Sequence, residues 1–183
     1  MNTVRWLATA FGLFPLLVGC LGYPDSVQPV SGFDLRRYLG TWYEIARLDH
    51  SFERGLTNVS AEYTLREDGG VHVRNRGYSP ANRGWKEAIG KAYFVEGADR
   101  GYLKVSFFGP FYGSYVVFEL DADNYAFVCG PDRSYLWLLA RNTEIPAELK
   151  SRFVEQARSF GFDASQLIWV SHAPPGPEAT ADR

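Results

Sequence analysis

Two cysteines, three histidines and a scatter of carboxylates are what this 183-residue chain offers for nucleophilic, acid–base or metal chemistry. A nucleophile needs a base in reach, and few pairs suggest themselves. His72 alternates out of phase with Val71 and Val73, which puts it on the solvent side of a strand. His172 stands in a tail with Pro174, Pro175 and Pro177, and His50 stands in a connection between two apolar runs. The chain has no Gly-x-Ser-x-Gly elbow, no phosphate-cradling glycine loop and no metal-spaced cluster. Cys129 reads as a small buried hydrophobe. No enzyme and no cofactor are expected. The remaining chemistry is that of Cys20.

Arg5 is the only charge before Asp25, and an apolar run extends from Trp6 to Val18. That run is too short to span a bilayer comfortably, and its charged start fits a secretory signal. It closes on Leu17-Val18-Gly19-Cys20. This resembles a bacterial lipobox, in which the cysteine is acylated and becomes the new N-terminus. Residues 1–19 are then a signal peptide, and 20–32, with Pro24 and Pro29, a lipidated N-terminus and tether. Buried acyl chains contribute roughly 0.8 kcal/mol per methylene, so several chains hold a protein at a membrane. With Cys20 acylated, Cys129 has no disulfide partner.

Net charge is −2 and no Lys/Arg block occurs, which argues against binding the nucleic-acid backbone. Aromatics make up 16% of the chain, a share that favours strands over helical bundles. Val59, Ala61, Tyr63 and Leu65 alternate with polar residues, the period of a strand buried on one face. Glu67-Asp68-Gly69-Gly70 is a turn, after which Val71, Val73 and Asn75 continue the inner side. With residues 41–48 first, and further runs at 86–95, 102–108, 114–120, 124–129 and 135–140, the pattern predicts eight short strands. The rhythm then changes. Leu149, Phe153, Ala157 and Phe160 recur at helical spacing between Pro146 and Gly161, so one amphipathic helix over about 146–160 must lie on something apolar. Leu167 to Val170 is a last short strand, and 172–183 a flexible tail.

Gly40-Thr41-Trp42 opens the first strand, Asp121 to Tyr125 holds the turn between the sixth and seventh, and Arg141 closes the eighth. These resemble the three motifs of the lipocalin family, in order and at the matching elements, over about residues 33–171. Tyr43-Glu44-Ile45-Ala46-Arg47 and Phe52-Glu53-Arg54-Gly55 resemble its bacterial outer-membrane members more narrowly. The resemblance implies an all-β, eight-stranded antiparallel up-and-down barrel with the helix packed outside. It implies Arg141 across Trp42 at the closed end, a structural cation–π contact. The absence of Asp at Leu21 implies the bacterial outer membrane, at its periplasmic face. Dimerisation is an expectation from the resemblance alone.

An eight-stranded barrel is just wide enough to be filled by side chains or to hold one small ligand. Parity assigns its lining. Ala61, Tyr63, Val71, Val73 and Asn75 come from the second and third strands. Leu103, Val105 and Phe107 come from the fifth, Tyr115 and Val117 from the sixth, and Tyr135 and Trp137 from the eighth. Ala88 and Gly90 supply small inward positions. Glu44 and Glu119 share inward parity, and a buried carboxylate needs a partner. Arg54, in the first inter-strand loop, is a candidate for an anionic group at the mouth. The lining suits an elongated apolar molecule. The family implies a fatty acid or lysophospholipid, and a role in envelope lipid storage or transport. The alternatives are a structural envelope lipoprotein with a filled barrel and, more remotely, a lipocalin-type enzyme. A transmembrane barrel fits poorly, because Arg66, Arg74 and Lys104 would meet lipid.

Overall fold

The computed structural model describes residues 21–174. A single helical turn, α1 (Leu35–Tyr38), leads into β1 (Gly40–Arg47), β2 (Thr57–Leu65), β3 (Val71–Ser79), β4 (Gly84–Phe94), β5 (Tyr102–Phe108), β6 (Phe111–Asp121), β7 (Tyr125–Cys129) and β8 (Leu136–Ala140). Then come α2 (Ala147–Ser159) and β9 (Ile168–Trp169). From β1 to β8 each strand pairs antiparallel with the next, and β1 also pairs with β8, so the sheet closes into the expected barrel. β9 adds to the upper part of β1.

Closure gives the barrel two apolar layers. The inner one contains Trp42, Tyr63, Val71, Val73, Leu103, Val117, Val128 and Leu139. The outer one lies between the opposite strand faces and α2, where Phe127 meets Phe153 with ring centroids 4.8 Å apart. All four apolar positions of the helical spacing lie in this outer layer. Gly161 ends α2 at φ 81°, a left-handed conformation that favours glycine. There Phe162 N–H donates to Ala157 O and Gly161 N–H to Arg158 O. This bond pair satisfies carbonyls that a helix end leaves open.

Register shifts interrupt four of the ladders, and two of them decide where charged residues face. One, at Glu44/Ala46, leaves Ala46 opposite outward Leu138 and brings Arg47 opposite Trp137. The other, at Val117/Glu119, turns Glu119 outward. The inward placement expected of Glu119 is therefore corrected: its carboxylate accepts from Tyr125 and pairs with Arg152 outside the barrel.

The segment expected to be a tether is docked from residue 22 onward. Phe33 N–H bonds Asp99 O, Val30 N–H bonds Val117 O, and Val27 is fully buried. Three apolar side chains among the polar ones, Val27, Val30 and Phe33, each find the barrel. The start of the expected tail is also held. Asn58 N–H donates to Ser171 O, Asn58 Nδ2 donates to Ala173 O, and His172 Nε2 bonds Glu44 O at 2.8 Å. Residues 1–20, with the expected signal peptide and Cys20, and residues 175–183 lie outside the described residues.

Candidate functional site: the barrel lumen

One end of the barrel is plugged. Trp42 Nε1 donates to Tyr38 O at 2.8 Å, tying β1 to α1. The Arg141 guanidinium carbon lies 3.7 Å from the Trp42 ring centroid. Its nitrogens donate to the carbonyls of Arg37, Thr41 and Ala122. Gly40, just before Trp42, has φ 94°. Above this plug, Tyr115 Oη bonds Tyr38 Oη at 2.6 Å and Tyr63 Oη at 3.0 Å. Burial pushes all three phenols above their usual range, so they stay neutral donors. With Val71, Val73, Leu103 and Val117 packed around them, they form the floor.

The upper lumen is looser. Ala61, Asn75, Val105, Phe107 and Trp137 are only half-buried, and Ala88, opposite Asn75 in the β3–β4 ladder, is exposed. Gly90 permits one close approach here. A Cβ on it would stand 2.8 Å from both the Phe107 ring and Ser106 O, so glycine lets Phe107 lie over β4. Asn75 Oδ1 is buried and has no partner among the described residues. Such an atom in a cavity wall is a place for a ligand hydroxyl or a water.

Beneath the mouth sits a charge cluster that parity arguments missed. Arg47 Nη1 donates to Glu44 Oε1 at 2.6 Å, and Arg47 Nη2 donates to Glu53 O at 3.0 Å. The Glu53 carboxylate lies 3.7 Å from Arg47 Nε and accepts from Trp137 Nε1 at 3.4 Å. Burial, then the neighbouring Glu53 charge, holds the Glu44 carboxyl well above the ordinary carboxylate range, against the pull of Arg47. Burial raises the Glu53 carboxyl as well. With two carboxyls on one guanidinium, the cluster leaves no unengaged cation in the lumen among the described residues. The signal for it was the two Glu residues flanking one Arg. The missing step was the bulge, which carries no sequence signature of its own.

The rim is aromatic. His50 stacks on Tyr135 at 4.6 Å and on Phe52 at 5.3 Å, with Trp137 5.0 Å away. Burial and the Arg47 charge lower its pKa to about 4, so the imidazole is neutral at pH 7. Tyr135 thus belongs to the rim rather than to the inner apolar layer, because it precedes β8. Arg54 is exposed and engaged: Nη2 meets Asp49 Oδ2 at 2.6 Å and Nε the same oxygen at 2.8 Å. An exposed pair of this kind contributes little, so the guanidinium can exchange Asp49 for another anion. Cys129 is buried in the outer layer, where burial pushes its thiol up to about 12. At neutral pH the thiol stays protonated and shut away from solvent.

Comparisons with known proteins agree with this geometry. A lipocalin-like domain matches residues 33–172. Outer membrane lipoprotein Blc of Vibrio cholerae is 62% identical over 157 residues, covering 85% of this chain and 92% of that one. Its Escherichia coli K12 counterpart is 51% identical over 173 residues, covering 93% and 97%. Mouse apolipoprotein D is 31% identical, covering 94% and 96%. Among solved structures, insecticyanin from the tobacco hornworm superposes with a TM-score of 0.68 at 25% identity, covering 84% of this chain and 88% of its own.

Proposed function

The chain belongs to the lipocalin family, and from that premise we propose that it is an outer-membrane lipoprotein, anchored through Cys20, whose barrel binds fatty acids or lysophospholipids for storage or transport in the bacterial envelope. The relatives named outer membrane lipoprotein support the location. The lipobox supports the anchor.

One observation carries the binding reading. The upper lumen keeps half-open apolar walls at Ala61, Val105, Phe107 and Trp137, and aims an unpartnered Asn75 oxygen inward. A packed core would close both. An acyl chain gains about 0.8 kcal/mol per buried methylene, enough to bind without a dedicated contact. The tail descends toward Tyr63, Tyr115, Val71, Val73, Leu103 and Val117. The head group stays near Tyr135, Trp137 and Asn75. Because Arg47 is already engaged by Glu44 and Glu53, it offers no counter-ion to a carboxylate deep in the barrel, and ionic heads remain at the rim. Arg54, exposed at the rim beside Asp49, is the cation within reach of such a head.

A binding role also accords with the groups that would have to react. The Cys129 thiol is buried, and His50 is held neutral in an aromatic stack. The filled-barrel reading draws on the tyrosine floor, which occupies the lower half. Titration with oleate and with lysophosphatidylethanolamine, read by Trp137 emission, decides between them. Saturation near one ligand per barrel is expected; no response to either lipid would leave the filled barrel.

A further inference from the structure

Four connections surround the open end: 48–56, 80–83, 109–110 and 130–135. Aromatic side chains stand out into solvent there. Phe108 is 82% exposed and Phe111 is 61% exposed, flanking the tip of the β5–β6 hairpin. Phe52, in the β1–β2 loop, is 61% exposed. Every exposed phenylalanine among the described residues is at this end, and Trp85, at the start of β4, adds a fourth ring. Single exposed apolar residues need no explanation, but a group of them at one end marks an interaction surface.

The course of the N-terminal segment says what covers it. From Phe33, bonded to Asp99 O beside the plugged end, the segment passes Val30 at Gly101 and Val117 and reaches Gly22. There the Gly22 amide donates to Tyr102 Oη at 2.8 Å and Ser114 Oγ at 3.0 Å. Ser114 precedes Val117 on β6, so the segment climbs toward the open end as it approaches Cys20. Phe111 lies three residues beyond Ser114, about 10 Å at the rise of a strand. Cys20 is two residues from Gly22, a reach of at most about 7 Å. The described chain therefore begins on the flank of the barrel that carries the β5–β6 hairpin, within that reach of Cys20.

We propose that the open end docks on the phospholipid bilayer into which the Cys20 acyl chains insert, with Phe108 and Phe111 entering the head-group region first. Aromatic rings are at home at that depth. The Lys104 ammonium, 5.2 Å from the Tyr112 ring on the same hairpin, is placed to reach lipid phosphates along its apolar stem. A tether this short makes the second contact intramolecular, so a few shallow rings suffice. A lipid then passes between bilayer and lumen without crossing bulk water.

The inference rests on the Cys20 anchor proposed above and is independent of what fills the lumen. The test uses the acylated full chain in phosphatidylethanolamine/phosphatidylglycerol vesicles containing lipids brominated near the head group. Phe108→Trp reports the open end, and Leu65→Trp, at a 58% exposed position by the β2–β3 turn, reports the plugged end. Wild-type emission is subtracted from each. The added emission of F108W should fall by about half, as for a ring at the interface, while that of L65W stays unchanged. Quenching of L65W alone, or of neither, overturns the docking. Protein mass and oleate uptake, measured on the same samples, separate the other failures. An unacylated Cys20 removes both anchor and docking, and an acylated, unquenched protein that takes up oleate removes the docking alone.

Discussion

Arg47 lies directly opposite Trp137 in the β1–β8 ladder, and both side chains sit under the mouth of the barrel. A bulge at Glu44/Ala46 creates this relation. Without it Ala46 would face the lumen and Arg47 the outer layer. The bulge thus converts an apolar wall position into a buried cation, which two carboxyls and the Trp137 indole must accommodate.

Removing that cation leaves its partners stranded. Arg47→Ala is expected to cost about 3–5 kcal/mol, the usual penalty for breaking a buried pair. The triple variant Arg47→Met/Glu44→Gln/Glu53→Gln should recover most of the loss. Urea denaturation of both checks this; a loss of under about 1 kcal/mol for the single variant, as for an exposed pair, would contradict it.

Glu44 gives a pH dependence with a defined sign. Its folded-state pKa is raised above 4.5, so the folded chain holds a proton that the unfolded chain has released. The stabilisation is complete below pH 4.5 and is lost as pH rises toward the folded value. Glu44→Gln removes this loss. The variant should match the wild type in acid and gain on it as pH rises toward 8. His50 slopes the other way. Its pKa is lowered from 6.5 to about 4, so the stability it contributes is present above 6.5 and is lost as pH falls toward 4. Denaturation midpoints across that range check the difference; a constant offset between the Glu44 variant and wild type would contradict it.

Much of this was legible in the residues. Alternation at Val59, Ala61 and Tyr63 gave a strand because one face is buried, and the spacing of Leu149, Phe153, Ala157 and Phe160 gave a helix because one stripe is. Trp42 and Arg141 stand out as unusual types at the ends of strands. Arg47 and Glu119 were not legible. A bulge shifts parity by one residue and leaves no periodic signal of its own. The docked N-terminal segment was masked by its prolines, and α1 is one turn long, too short for periodicity to register.

Trp137→Ala should separate binding from folding. Trp137 is half-buried and faces the open lumen. Its removal is expected to weaken oleate binding about tenfold, roughly 1.4 kcal/mol, and to lower stability by less. Paired titration and denaturation check this, and the reverse ranking would make Trp137 a packing residue.

Arg141→Met should do the opposite. It removes the contact with Trp42 and three bonds to carbonyls at the plugged end. A loss of about 2–4 kcal/mol is expected, with lipid affinity unchanged in the protein that folds. An affinity change as large as that of the Trp137 variant would tie the plug to the binding site.

Cys20→Ala should free the protein from membranes. Acyl anchoring is apolar and insensitive to ionic strength, so wild type stays with membranes in high salt and the variant does not. Fractionation checks this; a variant that sediments with membranes at high salt would point to another attachment.

The open lumen is the central claim, and native mass spectrometry of the protein purified from its own membranes, followed by lipid extraction, tests it most directly. The account predicts one fatty acid or lysophospholipid per barrel, lost on denaturation. A protein of bare mass, which also fails to take up oleate or lysophosphatidylethanolamine when offered, would mean that the barrel is filled by its own side chains.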